Sequence, residues 1–292
     1  MFLFVANNKR PYSNFRYLDC YIFFCSMSIS SYEKQQLYEI EKWEQREPSV
    51  VAQTMNKVTK PIGELVNFVM PKNAILGALI TFNDLANFFT DTGDILREGN
   101  VAKIEELRYK DLYLSDQIAK NVSLWAKGIA GAEGGGAGVA GILGMAVDIP
   151  TIITLSLRTI QKIGLCYGYE CNTEAEKMFV LNIMSAASSN NVQEKAAAIT
   201  TLWQIEVAIA KNTWKKLAEQ ATNKQGIPFL VMTIKNLARQ LGINITKRKA
   251  LQAIPVLGAA VGATMNIVYI TDITEAAIRT YQKRWLEENG RI

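Results

Sequence analysis

Asp148, Glu174 and Glu176 are acids, and Cys166, Tyr167 and Tyr169 carry a thiol or hydroxyl, all within one short stretch that could support chemistry. A carboxylate beside a tyrosine is the pairing a histidine-free hydrolase would use, with Asp148 or Glu176 as acid or base and Tyr167 or Tyr169 next to it. Histidine is absent from all 292 residues, which removes Ser-His-Asp triads, Cys-His pairs and imidazole metal sites. Cys166 as a nucleophile would need a non-histidine base. Asp148 and Arg158 sit in apolar surroundings, and their plainer reading is a helix cap and a structural ion pair, because buried charges are normally paired. Nothing in the spacing forces these groups together, so the sequence assigns no catalytic, cofactor-binding or metal-binding residue.

The four cysteines, Cys20, Cys25, Cys166 and Cys171, form no CxxC motif and no zinc-ligand spacing. Cys166 and Cys171 flank a turn-like stretch that a disulfide could close, but usage and spacing favour reduced thiols.

The elements that must position these residues read as helices throughout. Ser30 with Glu33 makes a capping box opening a helix over 31–47, which Pro48 ends. Ser49 caps the next, interrupted at Pro61, and Pro71 starts a more apolar one through Phe82. Asp148-Ile149-Pro150 reads as a helix start, with Asp148 as N-cap and Pro150 in the first turn. That helix ends at Gly164 or in the Tyr167-Gly168-Tyr169 corner. Helices follow over 174–187 and 192–224, another opens at Pro228, and Thr246 caps the last long one. No alternating β-branched run with hairpin turns is present. The expected fold is an all-α multi-helix bundle.

Residues 1–26 read as a non-native or disordered extension, with translation starting at Met27, and residues 27–292 as one helical domain. The order of charges and apolar runs before Met27 differs from that of a signal peptide.

Two segments stand out for lack of charge. Residues 128–147 hold eight glycines and five alanines with Glu133 as the only charge, and residues 250–271 hold no charge at all. No GxxxxGK[ST] pattern follows a strand, so a phosphate loop is disfavoured. Gly131/Gly135, Gly134/Gly138 and Gly258/Gly262 have the small-xxx-small spacing that lets helix backbones approach closely. The expectation is therefore two central Gly/Ala-rich helices packed together. Pro255, Asn266 and the modest hydropathy of both segments argue against simple membrane spans. Residues 211–249 carry nine Lys/Arg against Glu219 alone, while the whole chain is +5. Lys247-Arg248-Lys249 lies directly before the second uncharged segment, where contact with anionic lipid headgroups would be placed. No aromatic-basic or helix-turn-helix signature points to nucleic acid.

The order Gly/Ala-rich helix, Asp148-Ile149-Pro150, Leu157-Arg158, Gly164, Tyr167-Gly168-Tyr169 and Glu176-x-x-Phe179 resembles the EcsC family. So does the later block: Lys249, 254–259 with Pro255 and Gly258, then Gly262-Ala263, Asn266, Ala276-Ala277 and Arg284-Trp285-Leu286. Glu170 stands where the family pattern usually has Asp, which keeps the charge. The resemblance implies a bacterial all-helical domain at the cytoplasmic side of the membrane, in a family named for a protein encoded beside an ABC transporter. It implies no reaction, substrate or cofactor. The resulting expectation is a non-catalytic protein, peripheral at the inner face, that associates with membrane surface, lipid or a membrane-protein partner. The carboxylate-and-tyrosine hydrolase is the alternative.

Overall fold

A computed structural model describes residues 29–48, 72–84, 92–139, 141–211, 229–250 and 258–292. Residues 1–26, Ser49, Pro61, Pro71, Pro255 and the whole stretch 212–228, with Pro228, lie outside these, as do the expectations placed on them. Among the described residues there are nine α-helices and no strand: α1 (Ser31–Gln45), α2 (Lys72–Asp84), α3 (Gly93–Gly99), α4 (Leu112–Val139), α5 (Gly141–Cys166), α6 (Glu174–Ala187), α7 (Val192–Ala210), α8 (Phe229–Ala250) and α9 (Gly258–Glu288), with a 3-10 turn at Ile104–Tyr109 between α3 and α4.

Local chemistry sets several boundaries. Ser30 and Glu33 form the expected reciprocal capping box on α1, with Glu33 N donating to Ser30 Oγ at 3.1 Å and Ser30 N to Glu33 Oε2 at 2.6 Å. Thr173 and Asn191 cap α6 and α7 in the same way, accepting from the backbone N–H three residues on. Gly168 turns the chain after α5 at φ 86°, where a side chain would be strained.

Two expected starts are overturned. Asp148 caps nothing: α5 begins at Gly141 and runs through Pro150, so both residues lie inside the helix. Burial of Ile149, Ile152 and Ile153 holds the helix together across the proline, and packing outweighs the local signal. Thr246 is likewise interior, because α8 continues to Ala250. The first Gly-rich segment is therefore not one helix but the end of α4 and the start of α5.

The core is organised on α9 and α6. Every residue of α6 from Met178 to Met184 is buried, so this stretch is covered on all sides and central. α9 lies along α4 in the most extensive helix pairing of the fold and also touches α1, α5 and α6. Gln282 of α9 donates to Asp116 of α4, while Ile267 of α9 meets Gly131 of α4, so fifteen residues along one helix match fifteen backwards along the other. The pair is antiparallel and in step. At Gly131 a β-carbon would lie 3.1 Å from Ile267 Cδ1, a direct instance of a missing side chain allowing close approach.

Candidate functional site

The charged motif residues collect at one end of the bundle. Arg284, 1 % exposed, projects from the last third of α9 onto the first turn of α6, where its Nη1 and Nη2 each donate to one oxygen of Glu176 at 2.8 Å. Its Nε donates to Glu288 one turn on, at 2.9 Å. The guanidinium stacks 4.0 Å from the Tyr169 ring, whose other surroundings are Arg108 at 4.7 Å and Tyr281 at 5.7 Å. Burial disfavours the Arg284 charge, but the hydrogen bonds and field of Glu176, with Glu288, outweigh it and hold the group above the usual arginine range. Tyr169 donates its hydroxyl to Glu288 at 3.1 Å.

Next to this clamp lies a second buried centre. Asp116 accepts from Tyr167 at 2.5 Å, Tyr32 at 2.6 Å and Gln282 at 2.9 Å. Burial pushes Asp116 above the ordinary carboxylate range while those three donors pull it back. Tyr167 stacks on Tyr281, and Tyr281 fits only because residue 164 is glycine: a β-carbon there would stand 2.7 Å from its ring and hydroxyl. Gly168 is tied down as well, its carbonyl accepting from Arg108 Nε at 2.8 Å.

Asp148 is elsewhere. It is buried and accepts from Asn266 at 3.2 Å, eighteen residues along α9 from Arg284, about 27 Å at helical rise. Arg158 is half-buried on α5. The family-motif residues therefore divide into two groups: Tyr167, Tyr169, Gly168 and Glu176 converge near the C-terminal end of α9, and Asp148 with Asn266 lies near its start. Asp148 and the tyrosines do not form a common site. Glu176 and Tyr169 both contact Arg284, Glu176 through two hydrogen bonds and Tyr169 through its ring, and Tyr169 gives its hydroxyl to Glu288. Cys166 and Cys171 are free thiols, burial pushing Cys166 well up and Cys171 to about 12. Among the described residues no group of three or more His, Cys, Asp or Glu is arranged to hold a metal ion.

Two buried charges escaped the sequence reading. Lys195 of α7 donates to the carbonyls of Trp43 and Arg46, closing the C-terminus of α1, and burial lowers it to about 8. It borders a cavity of about 30 Å³ shared with Asp272 and Glu275, enough for about one water. Glu206 is raised to about 8, first by burial and then by Glu287. Neither had a local signal, since nothing in the spacing of Glu194, Lys195 and Glu206 says which of them face inward.

The opposite end of the bundle gathers the two uncharged segments, and helix directions define it. α6 runs against α9, since Glu176 pairs with Arg284 and Ser188 with Tyr269 at 2.8 Å. α8 runs with α6, since Ser185 meets Gln240 and Ser188 meets Asn244. Hence the end of α4, the start of α5, the end of α8 and the start of α9 share one end. That end contains the helical parts of both uncharged segments, with exposed Leu124 and Ile267 on the α4 and α9 surfaces leading toward it, and it holds Lys247-Arg248-Lys249 in the last turn of α8. Gly134, Gly135 and Gly138 lie in the last turns of α4, Gly258 and Gly262 in the first turns of α9. No helix among the described residues is long and apolar enough to cross a membrane.

This arrangement of motifs is matched by a family model, the EcsC protein family, over residues 34–286. The chain belongs to the EcsC family. A relative in Bacillus subtilis (strain 168), described as uncharacterized protein YdbA, is 27 % identical over 87 % of this chain and 93 % of its own length. Protein EcsC of the same organism is 23 % identical over 60 % of this chain and 65 % of its own, so the chain spans a little less than two thirds of that relative. No solved structure matches.

Proposed function

We propose that this EcsC-family chain is a non-catalytic helical protein that works by peripheral association with a membrane. Its uncharged end faces the bilayer or a membrane-embedded partner such as an ABC transporter, and it acts from the cytoplasmic side. The observation that carries the reading is the coincidence, at one end of the bundle, of three uncharged helix termini (the end of α4 and the starts of α5 and α9) with the basic trio Lys247-Arg248-Lys249 at the end of α8. Uncharged side chains cost less to desolvate than charged ones, and each lysine or arginine held near an anionic surface contributes ~1 kcal/mol. The catalytic alternative loses its support in the same geometry, because the carboxylates and tyrosines it needs are either ~27 Å apart or buried in ion pairs and hydrogen bonds.

Co-sedimentation with vesicles of phosphatidylglycerol tests the proposal, with pure phosphatidylcholine vesicles for comparison. Retention falls with salt, and Lys247→Ala/Arg248→Ala/Lys249→Ala lowers partitioning roughly 100-fold, from ~3 kcal/mol in total. Absence of retention on both anionic vesicles and native membranes at low salt refutes the reading. Retention on native membranes alone assigns the contact to a membrane protein.

A further inference from the structure

α1 is attached to the bundle largely by charge. It buries two apolar side chains, Ile40 and Trp43, with Tyr32 and Leu37 half-covered beside them. Four ion pairs tie it to α9 and the residues just after: Glu33 to Arg291 at 3.3 Å, Glu39 to Arg279 at 3.8 Å, Glu44 to Lys283 at 3.0 Å, and Arg46 to Glu275. Gln36 accepts from Arg279 at 2.9 Å and from Gln282 at 3.2 Å, and Tyr32 donates to Asp116. Each of these contacts can be given up without stranding a buried charge. The start of α1 is capped internally by Ser30 and Glu33, so the helix carries its cap with it. On the other side, Asp116 keeps Tyr167 and Gln282, Arg279 keeps Gln282, and Lys283 keeps the face of the Trp203 ring, 4.0 Å from its centre. Lys195 is the group that α1 covers. It is 5 % exposed, and α1 with its C-cap supplies both carbonyls that accept from it, those of Trp43 and Arg46, and the Trp43 ring 4.6 Å away.

We infer that α1 is an electrostatic strap: it lifts off α7 and α9 as one unit while the rest of the chain stays folded, ionic strength sets how often it does so, and its lifting uncovers Lys195. Segments that open locally are those with few buried apolar contacts, and α1 has fewer than α6, which is buried at every position from Met178 to Met184. Salt separates an ionic attachment from an apolar one. The screening length falls from ~30 Å at 0.01 M to ~3 Å at 1 M salt, which weakens the four ion pairs but not the burial of Ile40 and Trp43. A partly exposed pair shifts an equilibrium by about 1.4-fold to fivefold, so screening four of them raises the open fraction at least about fourfold. Opening also brings Lys195 to the surface beside Asp272 and Glu275, which share its cavity, so the strap decides when that amine meets the solvent. The uncharged end plays no part in this device, and the two readings stand or fall separately.

Hydrogen–deuterium exchange of the full chain, read by mass spectrometry, tests the inference. Peptides from α1 exchange together and faster than those from α6. Between ~20 mM and ~1 M sodium chloride the α1 rate rises at least about fourfold while the α6 rate holds. Glu44→Gln/Arg46→Gln, which removes two of the pairs, speeds α1 exchange at low salt and flattens its response to salt, with unchanged circular dichroism. Acetylation of Lys195 by an N-hydroxysuccinimide ester, normalised to the exposed Lys34, rises with salt in step with α1 exchange. Protection of α1 equal to that of α6 overturns the strap, and an α1 rate that salt leaves unchanged or slows overturns its electrostatic basis. Equal acceleration of α1 and α6 assigns the effect to the whole fold and overturns opening as a unit. Lys195 acetylation that does not follow α1 exchange overturns the covering role.

Discussion

Replacing Arg284 by methionine tests whether the buried clamp is a fold determinant. The side chain of Arg284 is 2 % exposed and that of Glu176 11 %, so both charges lie out of water. Arg284→Met leaves Glu176 without its two donors, removes a partner from Glu288 and takes the cation off the Tyr169 ring. Removing one member of a buried, hydrogen-bonded pair costs about 3–5 kcal/mol, mostly from the partner left charged and unpaired. Set against a total stability of ~5–15 kcal/mol, that is a large share. At ~2–4 °C per kcal/mol for a chain of this size, the melting temperature drops by about 6–20 °C. Urea titration of the single variants and of Arg284→Met/Glu176→Met gives the diagnostic comparison. The double variant loses clearly less than the sum of the singles, because it no longer leaves Glu176 or Arg284 buried without the other. A single-variant loss under ~1 kcal/mol, or strict additivity, would refute the argument that the two charges form one closed unit.

The remaining predictions concern individual residues. Gly164→Ala places a β-carbon 2.7 Å from Tyr281 and destabilises by about 1–3 kcal/mol, measured by urea titration. Gly168→Ala is at least as costly, since φ is 86° and the β-carbon meets the Arg108 backbone nitrogen at 2.6 Å, whereas Gly77→Ala in the exposed interior of α2 meets nothing and gains up to ~1 kcal/mol. Glu206, raised by burial to about 8 in the folded chain against an ordinary glutamate value of 4.5, binds its proton more tightly folded than unfolded. Its contribution is therefore fullest below about pH 4.5 and declines as pH rises to about 8, on the order of a few kcal/mol. Glu206→Gln abolishes that part of the slope in denaturant midpoint against pH, and an unchanged slope contradicts the burial argument. Cys171, pushed to about 12, reacts with iodoacetamide at neutral pH only on unfolding, as mass spectrometry of protein labelled with and without urea will show.

What could be read from the sequence was what is local. The capping box at Ser30 and Glu33 and the span of α6 follow from side chains three residues from the backbone groups they satisfy, and both were legible. Asp148-Ile149-Pro150 carried an equally clear local signal for a helix start and was misleading, because buried isoleucines on either side of Pro150 hold α5 continuous. Arg284 and Glu176 were both noted as motif residues, but 108 positions separate them and no periodicity links them. Asp116 lies among the mixed charges of residues 91–120, where no spacing marks it as buried. The inward-facing charges of α7 ran against the expectation that Lys and Glu mark the solvent side of a helix.

α9 is 31 residues of uninterrupted helix, about 46 Å long, and it carries Asn266 near one end and Arg284 near the other. That makes it a ruler. One residue inserted between them would turn everything beyond by ~100° and advance it by ~1.5 Å. Tyr281, Gln282 and Arg284 would then swing away from Gly164, Asp116 and Glu176, or Ile267 from Gly131, with no slack in the packing to absorb the difference. The count of residues between the two ends is thus as tightly set as the identity of the residues themselves.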